Sequence, residues 1–164
     1  MFGDDEDDDA DDTTTPAHCA QIFDAVESDE KDPTTKASAN FTSGGFGPWF
    51  GVQISSFDEE VDDETFQKVL DALGKCPEFT VDSHDGEGPA TYKVSPLSIA
   101  NVGEETAAFR LNVESGGMAL LMDFAIVRNG HNTITGATAG LGSGMPATEM
   151  EKQLRLTMKR LTAS

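Results

Sequence analysis

The chain has 164 residues, 30 acidic against 11 basic side chains, a net charge of −19 and two cysteines. That length suits one domain with one good core. The acidity disfavours binding to nucleic acid and to anionic membrane surfaces, and no apolar run reaches the roughly 18 residues of a membrane-spanning helix.

Eight of the nine residues from Asp4 to Asp12 are carboxylates. Like charges repel, and nothing apolar lies nearby to offset the entropy of ordering. Residues 1–14 are therefore expected to be a disordered acidic leader, and residues 15–164 one domain. The domain keeps the character of the leader, because removing those eight carboxylates still leaves 22 acids against 11 bases. A start of Met1-Phe2-Gly3 followed by acids fits a chain trimmed just after a signal or anchor segment. On that expectation the leader is a self-repelling spacer that holds the domain off a surface.

A first helix is expected to begin at Thr15-Pro16 and fade near Glu27, with Cys19, Ile22, Phe23 and Val26 on one face. Two extended segments follow, joined by the glycine-rich stretch around Gly44, Gly45 and Gly47. In the second, Phe50, Val52 and Ile54 alternate with Gly51, Gln53 and Ser55, which is strand period. A second helix spans about Asp62 to Leu73, with Phe66, Val69, Leu70 and Leu73 on one side, acids in its first turn and Gly74 as its terminator.

Five more strands are expected next. They run through "EFTVDSH", "ATYKVSPLS", "TAAFRLNVES", "MALLMDFAIVR" and "HNTITGAT". The fourth is apolar on both faces except at Asp123, so it belongs in the middle of a sheet. Gly116-Gly117 and Asn129-Gly130 are hairpin signals. A final helix from about Pro146 buries Met150, Leu154, Met158 and Leu161, and Thr148 and Glu151 have capping-box spacing. Helices flanking a meander point to an α+β fold, a twisted antiparallel sheet of six to seven strands with three helices mainly on one face.

Cys19 falls on the apolar face of the first helix and Cys76 just past the second. If both helices pack on the same sheet face, a disulfide between them is reasonable. It would close a loop of almost sixty residues and contribute roughly 4 kcal/mol. Two inert thiols are the alternative. No Cys-x-x-Cys suggests a redox pair.

The segment from Cys76-Pro77 through "YKVSPLS", "NVGEET" around Gly103, "AFRLNV" and "DFAIVRNGH", followed by a basic amphipathic helix, resembles the extracytoplasmic sensor-like domains of actinobacteria. That family includes the C-terminal domain of a mycobacterial receptor Ser/Thr kinase and many small lipoproteins. The resemblance covers roughly residues 60–162. It implies an antiparallel sheet carrying helices, a disulfide-stabilised body and a cleft for an extracellular ligand, with no catalysis. The kinase member is expected to hold two disulfides, whereas the cysteines here suffice for one. In a lipoprotein, the leader would follow an acylated cysteine.

Candidate chemistry is sparse. His18 beside Asp11 and Asp12 reads as a solvated first-turn residue, not a metal ligand. "DSHDGEG", with Asp82, His84, Asp85 and Glu87, lacks the spacing of a calcium loop. Ser143 fails the Gly-x-Ser-x-Gly spacing of a nucleophile elbow. Asp123 must pair with a base such as Arg110 or Arg128, or face a polar cleft. Phe46, Trp49 and Phe50, set among glycines, form either core or the wall of an apolar pocket. A ligand is therefore expected at Phe46, Trp49, Phe50 and Asp123, with no metal, no cofactor and no enzymatic activity. The function expected is a non-catalytic, extracytoplasmic ligand-binding or sensor-like domain of the cell envelope, lipid-anchored or secreted, serving an unknown small molecule or envelope protein. The alternative is an acidic module that binds a basic partner protein.

Overall fold

A computed structural model describes residues 12–22, 32–45, 47–84, 86–142 and 144–163, with Thr65 described by its backbone alone. The elements are β1 (Thr13–Thr15), a 3₁₀ turn (Ala17–Ala20), β2 (Thr35–Thr42), β3 (Trp49–Ser56), α1 (Asp63–Lys75), β4 (Glu78–Asp82), β5 (Ala90–Pro96), β6 (Glu105–Ser115), β7 (Met118–Asn129), β8 (Asn132–Leu141) and α2 (Ala147–Thr162). The eight strands of the described residues form one antiparallel sheet in the order β1-β4-β5-β6-β7-β8-β3-β2.

The class is α+β, as the patterning suggests, with two differences in detail. The sheet has one strand more than expected, because Thr13, Thr14 and Thr15 pair with Asp82, Val81 and Thr80. Three polar residues carry no period, so their pairing with β4 has no local signal. Two α-helices, not three, are complete among the described residues. Pro16 precedes a 3₁₀ turn, with no side-chain cap at its start, and residues 21–22 begin a helical turn. The proposed helix face at Phe23 and Val26 lies outside the described residues, as do residues 1–11.

The helices also do not share a face. Directly paired residues in an antiparallel sheet point the same way, and neighbours along a strand point opposite ways. Ala125 pairs with Gly136, Val127 with Ile134, and Ile134 with Ile54, so one face presents Phe50, Val52, Ile54, Ala125, Val127 and Ile134. Met150, Leu154 and Met158 of α2 pack there. The opposite face presents Phe79 and Val81 of β4 with Tyr92 and Val94 of β5. Ala72 and Leu73 of α1 pack there, together with Cys19, Ile22 and Cys76. The two apolar stripes are thus matched by two separate half-faces. α1 covers the β4–β5 half of one side and α2 covers the β7–β8–β3 half of the other.

Close approach on the α2 side depends on Gly136. A Cβ there would lie 3.0 Å from Leu154 Cδ2. The expected terminator Gly74 sits inside α1, which runs on to Lys75 before Cys76. At α2, Pro146 occupies the N-cap with no side-chain cap. The Glu151 carboxylate accepts instead from the Ala100 N–H and from Arg155. Those bonds hold its pKa below the usual carboxylate value, the Ala100 N–H first.

The β7–β8 turn is a junction. Asn129 still pairs with Asn132, so Gly130 and His131 form the loop, with φ 59° at Gly130. Gly130 O accepts from Val61 N–H and His131 O from Phe57 N–H, which ties the β3–α1 connection to the turn. Arg128 Nε donates to Glu105 at 2.9 Å, and Nη1 donates to Glu104 and to the Val61 carbonyl. These bonds raise the pKa of its guanidinium, that to Glu105 foremost.

Candidate functional site

The sheet register separates the residues that the sequence groups together. Trp49 and Phe50 are consecutive in β3, so they project to opposite faces. Phe50 is 4% exposed and belongs to the core under α2, where it stacks on Phe41 at 6.2 Å. Asp123 also lies on the α2 side, 1% exposed, and pairs directly with Arg110 across β6 and β7. Arg110 Nε donates to Oδ1 at 2.7 Å and Nη2 to Oδ2 at 2.8 Å, a two-pronged bond. The Asp123 bond raises the guanidinium pKa. Of the two environments open to Asp123, the ion pair is the one formed. Phe46 lies outside the described residues. Trp49 therefore stands apart from Phe50 and Asp123.

Trp49 lines a groove of about 380 Å³ on the other side of the sheet. The groove lies over β2, β3 and β8, and no residue of α1 lines it. Its walls are Ser38, Asn40, Trp49, Gly51, Gln53, Thr135 and Ala137, with Val52 between them. Gly51 has a specific reason to be glycine. A Cβ at that position would sit 2.6 Å from Trp49 Cη2, 2.7 Å from Cζ2 and 2.8 Å from Asn40 Oδ1. The indole ring therefore lies down along the strand over Gly51 and reaches towards Asn40 on β2. A second concavity, of about 320 Å³, lies at the β6–β7 turn around Gly116, Gly117 and Met118, with Glu114 in its wall. It has no aromatic residue.

The cysteines behave as one unit. Cys19 and Cys76 form a disulfide with Cα atoms 5.7 Å apart, 0% and 2% exposed. His18 lies beside the two sulfurs. Both sulfurs are consumed by the covalent bond, so this trio offers no thiolate to a metal. The His84 ring bonds Thr13 Oγ1 at 2.9 Å, and the His84 N–H donates to Asp82 Oδ1. This part of "DSHDGEG" thus fastens β1 to the β4–β5 loop. Asp85 and Ser143 lie outside the described residues. His131 is exposed at the hairpin tip.

No family model matches the chain, and no curated protein does. Solved structures do. The extracellular domain of PknH from Mycobacterium tuberculosis superposes with a TM-score of 0.63 at 12% identity, over 91% of this chain and 78% of that one. This chain has the PknH extracellular-domain fold. A similar likeness, TM-score 0.55 at 14% identity over 90% of this chain and 75% of the other, links it to an uncharacterised protein of Mycobacterium smegmatis, the Rv0999 ortholog. The resemblance read from Cys76-Pro77 to "DFAIVRNGH" thus holds at the level of fold.

Within this PknH-like fold, the groove coincides with a charge pattern that motif reading passes over. Residues 33–57 contain no Asp or Glu, and neither do residues 124–148. These two stretches of 25 residues carry β2, β3 and β8, which are adjacent at one end of the sheet. Lys36 is the single charge on those three strands. A chain with 30 carboxylates leaves one end of its sheet free of them.

Proposed function

We propose that the chain is a non-catalytic recognition domain of the cell envelope, exposed outside the cytosol, and that the β2–β3–β8 groove receives its ligand. The carrying observation is Trp49 laid over Gly51 in a groove whose lining has no charged residue. Specific binding needs a concave surface with an apolar anchor and a few polar groups to orient the ligand. Trp49 is that anchor, and Ser38, Asn40, Gln53 and Thr135 are those groups. None of the lining side chains titrates near neutral pH, which suits recognition and not acid–base chemistry. The one deeply buried carboxylate among the described residues, Asp123, is held by Arg110 on the opposite side of the sheet.

The buried disulfide supports an oxidising compartment, and the likeness to an extracellular domain points the same way. The acidic run before β1 serves as a charged spacer in this reading. A module for a basic partner is not favoured at the groove, because a cation would find no carboxylate there.

Screening the isotope-labelled domain by NMR against a library of uncharged small molecules tests the reading. Amide shifts confined to residues 38–53 and 133–139 are expected. Gly51→Ala, whose new methyl displaces the indole, should abolish them. A groove that stays silent throughout the library, or shifts that survive Gly51→Ala, would overturn it.

A further inference from the structure

We infer that the ligand of the β2–β3–β8 groove is a neutral saccharide. This rests on the groove being the recognition site and adds the chemistry that fills it. Sugar rings present flat, weakly polar C–H faces, with hydroxyls around the rim that both donate and accept hydrogen bonds. Trp49 supplies a rigid aromatic surface for the first feature. Asn40 and Gln53 supply amides that donate and accept, and Ser38 and Thr135 supply hydroxyls that do the same, which matches the second. Their positions follow from the register. Asn40 pairs with Gly51, Ser38 with Gln53, and Gln53 with Thr135, so these side chains share one face in two adjacent rows across three strands.

Charge narrows the class. The groove's lining holds no cation for a uronate, sulfate or phosphate; Lys36, which the register places on the same face one row beyond Ser38, is the single charge on these three strands, in a chain of net charge −19. An anionic saccharide would be repelled by the whole field of the protein. An acyl chain or other purely apolar ligand would cover the Asn40 amide and the Ser38 and Thr135 hydroxyls without offering them a hydrogen bond, which is costly. A neutral oligosaccharide satisfies both conditions.

The chain has a single tryptophan, so its emission reports on this groove alone. Titration with maltohexaose, cellohexaose, mannohexaose and N-acetylated chitohexaose is expected to give a saturable change for at least one of them, with a dissociation constant on the order of 1 mM or tighter. Hexagalacturonate is expected to give none. Followed by calorimetry, Trp49→Ala and Gln53→Ala should each weaken binding, the first by about tenfold or more. Gln53→Ala guards against a folding defect in the tryptophan variant. The inference falls if no neutral hexasaccharide binds, if hexagalacturonate binds equally well, or if affinity survives both substitutions. Silence towards sugars together with groove shifts from other uncharged molecules would remove the saccharide and leave the groove. Silence towards both would remove the two together.

Discussion

Arg110 grips Asp123 with two parallel hydrogen bonds, from neighbouring central strands and on the α2 side of the sheet. The carboxylate is 1% exposed, while the guanidinium side chain is 36% exposed. The pair is therefore one buried anion with a half-open lid. Arg110→Ala leaves that anion without its donors, and the chain should lose about 3 kcal/mol of stability. Replacing both residues by leucine should restore most of it, because no charge is then left buried. Denaturant midpoints of the parent chain and the two variants check this. Equal losses in the single and the double variant would contradict it.

The Cys19–Cys76 bond fastens the segment after β1 to the end of α1 across a separation of 57 residues. Cys19→Ser with Cys76→Ser should cost roughly 4 kcal/mol. Thiol titration of the unreduced protein in denaturant should find none free. Two titratable thiols would overturn both the bond and the oxidising compartment proposed from it.

Tyr92 stacks on Phe79 at 4.9 Å in the same cluster. Burial, and secondarily Asp12, raises its phenol above the ordinary value of 10.0. A group whose pKa is higher in the folded chain contributes stability that is present below the unfolded value and lost as pH rises through the folded one. Stability should therefore fall above about pH 10. Tyr92 is the only tyrosine, so the ultraviolet phenolate band follows it alone. Asp12→Asn should lower its pKa less than Phe79→Ala does, since burial is the larger cause. The reverse order would be contrary to this account.

The net charge of −19 predicts a response to salt. Self-repulsion of like charges opposes the compact state, and the screening length shortens from about 10 Å at 0.1 M salt to about 3 Å at 1 M. The melting temperature should rise between those concentrations of sodium chloride. A flat or falling profile would show that repulsion is not a significant load on the fold.

Local pattern carries much of this architecture. The alternation of Phe109, Leu111 and Val113, the two-sided apolar run around Asp123 and the period of Met150, Leu154 and Met158 each mark an element that the structure contains. Long-range placement is less legible. Nothing in "HNTITGAT" says that β8 takes β3 as its second neighbour, and this pairing is what turns a meander into an eight-stranded sheet. Nor does a helical stripe announce which side of a sheet it covers, so the placement of α1 and α2 on opposite sides emerges only from register. The groove had a partial signal. The phase that puts Phe50, Val52 and Ile54 in the core also sends Trp49, Gly51 and Gln53 to the other side. Grouping Trp49 with Phe50 by proximity overlooks that phase. The absence of carboxylates from residues 33–57 and 124–148 was equally available, but it becomes a surface only once those stretches are known to lie side by side.

The junction of β8 with β3 joins pieces of chain about eighty positions apart, with α1 and four other strands between them. Contacts so distant in sequence form slowly, since a large loop must close before they are rewarded. The Trp49 groove straddles that seam, so a nascent polypeptide acquires its recognition surface only after its last strand has docked, and truncation before Asn132 would abolish the surface even if the remaining strands still paired.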